Sequence, residues 1–412
     1  RRIPLAPYPF ERQRHWLDRE SSVADMALKS HGKQAIENWF YLPHWEPALA
    51  TPIQDATAQA CTLAGVSDDR VWCLDGLADS WAAPLGEYIE QGLPSRQTSR
   101  SVHTVDIGAF VQTLPTHSDV HVVVAAAPTE PSTFARLLDW ARAWQTHRLG
   151  QTLRLTVLTP GVLSVLGSET VDVALASIRG AVLVIAQEFP AIDVRCIDMA
   201  VGPQGMSPQW LETVYAELCA ADRAAFVALR GARRYLPAIK PVSLPRSNAS
   251  SPRKPRLRQH GVYLVTGGLG PMGLTLARHL IERFDATVVL TTRALPEPTQ
   301  GKYVAWQALG PKAIAVAVDV TNRAQMQSLI ERVVTSHGSL HGVFHAAGLQ
   351  QWQAINDAPG KAEQQLLQPK LAGAQALADA WDDWQAERPE TPDLDFCVLM
   401  SSIAADLGGL GY

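Results

Sequence analysis

Three clusters of residues in this chain have the types and the spacing for chemistry on a bound nucleotide. The first is Thr266-Gly267-Gly268-Leu269-Gly270-Pro271-Met272-Gly273. Glycines spaced in this way let a chain turn tightly off a strand, let a diphosphate approach the backbone, and let the following helix pack closely on the sheet. The free N–H groups and dipole of the helix N-terminus then face the anion. The second cluster is Thr292-Arg293, at the end of the run Ala286 to Thr291. An acid at that place binds the ribose diol of NAD, whereas a guanidinium suits a 2′-phosphate, so Arg293 points to NADPH. The third cluster joins a cation to a hydroxyl. Lys370 sits in a helical pattern from about Ala362 with Leu366, Leu367, Pro369, Leu371 and Ala374, which sets it among apolar neighbours. A buried ammonium is costly unless it is paired or functional. Ser401 and Ser402 follow the apolar run Phe396 to Met400, and a hydroxyl at the C-terminal end of a parallel strand stands at the ligand edge of the sheet. The same serines suit a helix cap.

These clusters need elements to hold them. Val262-Tyr263-Leu264-Val265 is a strand that breaks at the glycines, and a helix follows with Leu274, Ala277 and Ile281 on one face. The strand Ala313–Val318 ends in Asp319-Val320, from which Asp319 can accept from an adenine amino group or cap a helix starting near Asn322. Gly342-Val343-Phe344-His345 is a buried strand running into the small residues Ala346, Ala347 and Gly348, as close approach of a nicotinamide ribose requires. His345, on so apolar a run, reads as a satisfied core histidine. Upstream, strand and helix signals also alternate: Arg70–Leu74, Val120–Ala127, a helix around Phe134–Trp144 with Leu137, Leu138 and Ala141 inward, Leu153–Leu158, and a helix from Val171 to Phe189. Such alternation means α/β architecture, here two Rossmann-like, doubly wound parallel-sheet halves. The first turn of the upstream half, Leu74 to Asp79, has one glycine and two acids where a diphosphate would sit, so that half is expected to hold no nucleotide.

The bulk numbers fit this division. A chain of 412 residues, 47% hydrophobic and 18% charged, is long enough for two full cores. A net charge of −4 gives no reason to expect nucleic acid or a membrane surface as partner. The five cysteines are scattered without C-x-x-C spacing, which suggests reduced thiols, no zinc site and a cytoplasmic setting. Residues 1–20 carry Pro4, Pro7 and Pro9 among the aromatics Tyr8, Phe10 and Trp16, an extended strip that lies over another surface. Residues 21–37 are a polar connector, and Trp39 to Pro47 an aromatic strand stopped by proline. Ala228 to Pro237 is a hairpin whose three arginines are expected in solvent, and the Pro/Ser/Arg-rich residues 243–260 form a linker. The resulting boundaries are 38–242 for the nucleotide-free half and 261–412 for the nucleotide-binding half.

Taken in order, TGGLGPMG, TTR, DV, HAAG, LLQPKLAG and MSSIAADLGGLG resemble the ketoreductase domain of modular polyketide synthases, in the short-chain dehydrogenase/reductase superfamily. Leu5 to Trp16 is similar to the linker that follows the acyltransferase in those proteins, and Trp39 to Pro47 to the opening strand of the ketoreductase. The resemblance implies NADPH-dependent reduction of a β-ketoacyl thioester on the phosphopantetheine arm of an acyl carrier protein. It also implies a neighbouring ketosynthase–acyltransferase in the same polypeptide and a homodimeric module. By motif, Ser402 would be the carbonyl-binding serine and Lys370 the lysine that keeps a proton-donating Tyr acidic. The family's Tyr, in a Tyr-x-x-x-Asn motif, falls beyond Tyr412, so the half 261–412 is expected to be incomplete, unstable in isolation and inactive as it stands. The loop Leu349-Gln350-Gln351-Trp352 lacks the Leu-Asp-Asp of one stereochemical class, and Leu407 replaces the Trp of the other; the sequence leans away from the Leu-Asp-Asp class. Two further readings are a non-catalytic scaffold within a synthase module and a free-standing reductase of small molecules.

Overall fold

The computed structural model describes residues 35–49, 70–78, 80–93, 97–103, 106–116, 119–127, 132–200, 208–220, 223–244, 256–349, 353–357, 362–390 and 392–410. The expected linker 1–20, most of the connector, Asp79, Gln350 to Trp352 and Tyr412 lie outside the described residues. Two compact units are distinguished, one formed by residues 1–42 and 239–251, the other by 43–238 and 252–412. In the small unit the Leu244 N–H donates to the Glu37 carbonyl at 2.9 Å and the Ser243 hydroxyl to Asn38 Oδ1 at 3.0 Å.

Thirteen strands are described: β1 Phe40–Ala48, β2 Arg70–Asp75, β3 Thr98–Val102, β4 Asp119–Ala125, β5 Leu153–Thr159, β6 Ile192–Met199, β7 Phe226–Arg230, β8 Arg233–Val242, β9 Val262–Thr266, β10 Thr287–Thr292, β11 Ala313–Ala317, β12 Gly342–His345 and β13 Phe396–Leu399. They form two sheets, one in the order β1-β8-β7-β6-β5-β4-β2-β3 and one in the order β11-β10-β9-β12-β13. The second sheet is parallel throughout. Its order reverses beside β9, the strand before the glycine turn, and ligands of open α/β sheets bind at such a reversal. In the first sheet β2 to β7 run parallel and β7–β8 is an antiparallel hairpin.

Strands covered on both faces are buried along nearly their whole length, as β4, β5 and β9 are, although β4 includes Asp119 and His121 and β5 includes Arg154, Thr156 and Thr159. The helix Thr133–His147 turns Leu137, Leu138 and Ala141 onto the first sheet, all buried, and Ser132 caps it by accepting from the Ala135 N–H. The helix Pro271–Phe284 lays Gly273, Ala277 and Leu280 on the second.

Three expectations are corrected. The strand β1 runs through Pro43 and Pro47 to Ala48 instead of stopping, because it is the outermost strand and a proline's missing N–H costs nothing at an edge. The helix expected from Val171 begins as a short 3₁₀ turn, Val173–Leu175, fixed by Asp172 accepting from the Ala174 N–H, and the α-helix proper is Ile178–Glu188. The hairpin arginines are not all solvated. Arg230 and Arg234 are buried, Arg230 against Asp198 at 2.8 Å and Glu169 at 3.0 Å, Arg234 against Glu217 at 2.9 Å. Asp198 also accepts from the Thr159 hydroxyl and the N–H groups of Gly161, Val162 and Leu163, so a carboxylate with no exposure is fully satisfied.

Candidate active site

The glycine turn sits at the C-terminal ends of β9 and β10. Gly267 has φ +64°, and a Cβ there would lie 2.8 Å from the Ala346 carbonyl and the Ala347 Cα. A Cβ on Gly268 would lie 2.7 Å from the Leu290 Cβ, and one on Gly273 2.5 Å from the Gly268 Cα. Turn, neighbouring strand and helix therefore meet backbone to backbone, with room for no side chain. Gly270 is the N-cap of the helix and offers no side-chain oxygen to its N–H groups. Leu269 is buried beneath the turn and Met272 is exposed.

Beside the turn, Thr292 ends β10 and Arg293 follows, exposed. Asp319 is exposed past the end of β11; its carboxyl is held below the usual carboxylate range by the N–H and hydroxyl of Thr321, with the Arg293 charge adding to the effect. The capping alternative for Asp319 is excluded, since Asn322 caps the next helix through the Gln325 N–H and Asp319 closes a local turn on Thr321. Val320 is buried, 3.1 Å from where a Cβ of Gly373 would stand.

The end of β12 connects turn and lysine. His345 is 4% exposed, and burial lowers its pKa despite the acceptor carbonyl of Pro369, so the ring is neutral. Its Nε2 lies 3.1 Å from that carbonyl, which can only accept, so Nε2 carries the proton. Nδ1, 2.8 Å from the Thr266 hydroxyl, then accepts, and the Thr266 oxygen accepts from the Ala347 N–H at 3.3 Å. One neutral imidazole thus ties the glycine turn to Ala346, Ala347 and Gly348 and to the segment before Lys370.

Lys370 departs from expectation. The helix from Ala362 breaks at Pro369 into Ala362–Leu367 and Leu371–Glu387, and Lys370 is exposed at the N-cap of the second piece. Proline disfavours helix in the residue before it and withholds an N–H, which explains the break. The side chain still lies over the site: a Cβ on Gly348 would come 3.2 Å from the Lys370 Cε.

Ser402 is exposed three residues beyond β13, and its Oγ accepts from the Ala404 N–H at 3.2 Å. The N-cap of the turn Ala404–Leu407 is Ile403, without a side-chain cap, so Ser402 closes a local turn on Ala404 where it stands at the ligand edge. Register places Thr266, His345 and Leu399 in one row across β9, β12 and β13, so the glycine turn, Gly348 and Ser402 all follow the same edge.

The upstream half differs at the matching turn. Asp75, 2% exposed at the end of β2, takes the Arg136 Nε at 2.7 Å and the Trp140 Nε1 at 2.6 Å. Its charge is therefore answered from within the chain.

Sequence reasoning also missed the contacts that the upstream half makes with loops around Ser402 and Gly348. Arg179 donates to the Ala405 carbonyl and Asp406, Gln187 to the Leu407 carbonyl, Arg142 to the Ile355 carbonyl, and Glu188 accepts from the Ile355 N–H. Partners 167 to 227 residues apart leave no local signal.

Residues 261–412 match the family model of the KR domain. Across its full length the chain is 30% identical to a phenolphthiocerol/phthiocerol polyketide synthase polypeptide of Mycobacterium tuberculosis, of which it covers 22%. Half of it is 31% identical to the polyketide synthase PksM of Bacillus subtilis, of which it covers 5%. The chain thus spans about a fifth of the first relative's length and far less of the second's. An A1-type ketoreductase superposes with a TM-score of 0.67 at 22% identity, over 91% of this chain and 76% of that one. A structure holding the adenylation, ketoreductase and pseudo Asub domains of a keto acid-selecting NRPS module gives 0.72 at 20% identity, over 95% of this chain and 35% of that one. Residues 261–412 thus match the KR domain, the whole chain is similar to a stretch of a polyketide synthase polypeptide, and its fold is that of the ketoreductase structures.

Proposed function

We propose that the half 261–412 binds NADPH and reduces a β-ketoacyl thioester, carried on the phosphopantetheine of an acyl carrier protein, to the β-hydroxyacyl thioester. The observation that carries this is the shared edge of β9, β12 and β13, where a side-chain-free turn, Lys370 over Gly348 and the Ser402 hydroxyl come together. The residues fit the cofactor. The cradle of Gly267, Gly268 and Gly273 admits no Cβ, the uncapped N–H groups after Gly270 suit a diphosphate, and the exposed Arg293 guanidinium suits a 2′-phosphate. Thr266, Leu269, Met272, Thr292, Asp319, Val320, Ala346, Ala347 and Gly348 complete the binding surface. NADPH, when bound, supplies hydride to the carbonyl carbon.

The chain's own residues handle the oxygen. Ser402 uses a lone pair on Ala404, not its proton, so its O–H is free to donate to the carbonyl oxygen as negative charge develops there. Lys370, whose Cε lies over Gly348, supplies the ammonium that would keep a phenolic proton donor acidic. The upstream half is read as structural, its turn closed by Asp75, Arg136 and Trp140. A carrier protein, an adjoining ketosynthase–acyltransferase, a homodimeric module and a cytoplasmic setting belong to the same proposal.

Two measurements test it. Titration of the chain with NADPH and NADH should show NADPH preferred, and Arg293→Ala should cost NADPH roughly tenfold to a hundredfold in affinity while leaving NADH unmoved. In the whole protein, Ser402→Ala should lower NADPH oxidation with a β-ketoacyl N-acetylcysteamine thioester by about 10²–10³-fold. A chain that binds neither nucleotide would instead be a scaffold.

A further inference from the structure

The turn Ala404–Leu407 after Ser402 has four residues, none of them buried, and Ile403 and Leu407 at its ends are 75% and 51% exposed. One helical turn does not hold itself, because nucleation fixes several residues for a single hydrogen bond. Apolar burial does not hold it either. Polar contacts from the upstream half do. From the helix Ile178–Glu188, the Arg179 Nε donates to the Ala405 carbonyl at 3.0 Å and its NH2 to Asp406 Oδ1 at 2.7 Å. Further along the same helix, the Gln187 amide donates to the Leu407 carbonyl at 2.7 Å. Gly408, at φ +72°, has this amide so close that a Cβ would fall 2.7 Å from it. Arg179 is itself fixed: its guanidinium lies 5.1 Å from the ring centre of Phe226, which is buried in the first sheet's core.

We propose that Arg179 is a positioning residue for Ser402, with Gln187 in support, so that the upstream half sets the direction of the hydroxyl proton used on the carbonyl oxygen. The path is short and continuous. Phe226 orients Arg179, Arg179 orients the 404–407 turn through Ala405 and Asp406, and the Ala404 N–H occupies the Ser402 lone pair that decides where the proton points. The charge pair matters because it is partly shielded, with side-chain exposures of 27% for Arg179 and 33% for Asp406. The inference rests on the reading of Ser402 as the carbonyl-binding serine.

The test is a double-mutant cycle in the whole protein, read as kcat for the β-ketoacyl thioester, NADPH Kd and urea midpoint. Displacing a catalytic group by about 1 Å costs on the order of 10²-fold, so Arg179→Ala is expected to lower kcat by roughly 10- to 100-fold with NADPH Kd unchanged. Arg179→Lys, which keeps the charge but not the fork, should recover part of that, and Asp406→Asn should lose less than Arg179→Ala. On a Ser402→Ala background, Arg179→Ala should cost nothing further, since residues acting as a unit are not additive. Multiplicative losses in the double mutant overturn the inference while leaving the serine's role standing. A Ser402→Ala enzyme of full activity overturns both. If Arg179→Ala does not fold, Arg179→Lys and Asp406→Asn carry the same cycle, and additivity there is equally fatal.

Discussion

Replacing Gly273 by alanine tests how tightly the glycine turn is built. The new Cβ would stand 2.5, 2.6 and 2.7 Å from the Cα, carbonyl oxygen and carbonyl carbon of Gly268, all backbone atoms. Ordinary contact begins at 3.4 Å, a shortfall of 0.9 Å that no side-chain rotation can relieve. A Cβ placed on Gly268 would itself stand 2.8 Å from the Leu290 Cα, so that glycine is already backed closely by β10. The helix Pro271–Phe284 must therefore lift off the sheet, opening a gap under Ala277 and Leu280, which are 0% and 1% exposed. A gap of 0.5–1 Å forfeits about a quarter to a half of each dispersion contact, and overpacking of this kind costs roughly 1–3 kcal/mol. The same lift carries the N-terminal N–H groups from hydrogen-bonding distance to about 3.8 Å from a bound diphosphate, past the useful limit. Each charge-assisted bond lost is worth about 1.5–3 kcal/mol, so NADPH should bind at least roughly tenfold more weakly. Urea unfolding and NADPH fluorescence titration measure the two effects. Gly301→Ala is the control: nothing lies within 4 Å of its Cβ, and alanine in a compatible helix should be neutral or stabilise by about 0.4–1 kcal/mol. A Gly273→Ala chain with the original urea midpoint and NADPH affinity would refute the close-contact account.

Asp198→Ala should destabilise the first sheet by roughly 3–5 kcal/mol, because it strips a buried guanidinium of its partner, and urea unfolding would read the loss. A cost under about 1 kcal/mol would mean that Glu169 alone satisfies Arg230. The Glu169 carboxyl gives a pH signature: burial raises it, but the Leu166 N–H and the Arg230 guanidinium outweigh that and bring it from 4.5 to about 2. A depressed folded pKa stabilises above the unfolded value and is lost as pH falls through the folded one, so the stability gap between the native chain and Glu169→Gln should be full above pH 4.5 and close toward pH 2. A gap that persists unchanged at pH 2 would contradict it.

The fold was legible because strand and helix periodicity is local. The glycine spacing announced the turn within a handful of positions, and Ala346 and Ala347 are the backbone it packs against. Lys370 shows where that legibility ended: its apolar neighbours implied burial, yet Pro369 ends one helix and starts another, and which side of such a break faces solvent depends on what packs beneath. Arg230 and Arg234 failed for a related reason. Alternation in a hairpin cannot show that Asp198, Glu169 and Glu217 arrive from three other elements to bury them. The contacts of Arg179 and Gln187 with the 404–407 turn are tertiary altogether, and nothing near either residue announces them.

The Asp75–Arg136–Trp140 cluster has a consequence for the order in which the molecule is made. Where a dinucleotide-binding half leaves a place that only a ligand completes, this half supplies carboxylate, guanidinium and indole from residues 75 to 140 of its own chain. Strands β2 to β8 are contiguous in sequence and precede β9, so this sheet can close as soon as residue 242 has left the ribosome, with no cofactor present. The segments that follow then emerge against a finished surface on which Arg142, Arg179, Gln187 and Glu188 already stand. On the proposed reading, the upstream half would act in this way as a template for the loops of the downstream one, and a bound nucleotide would stabilise the second sheet without touching the first.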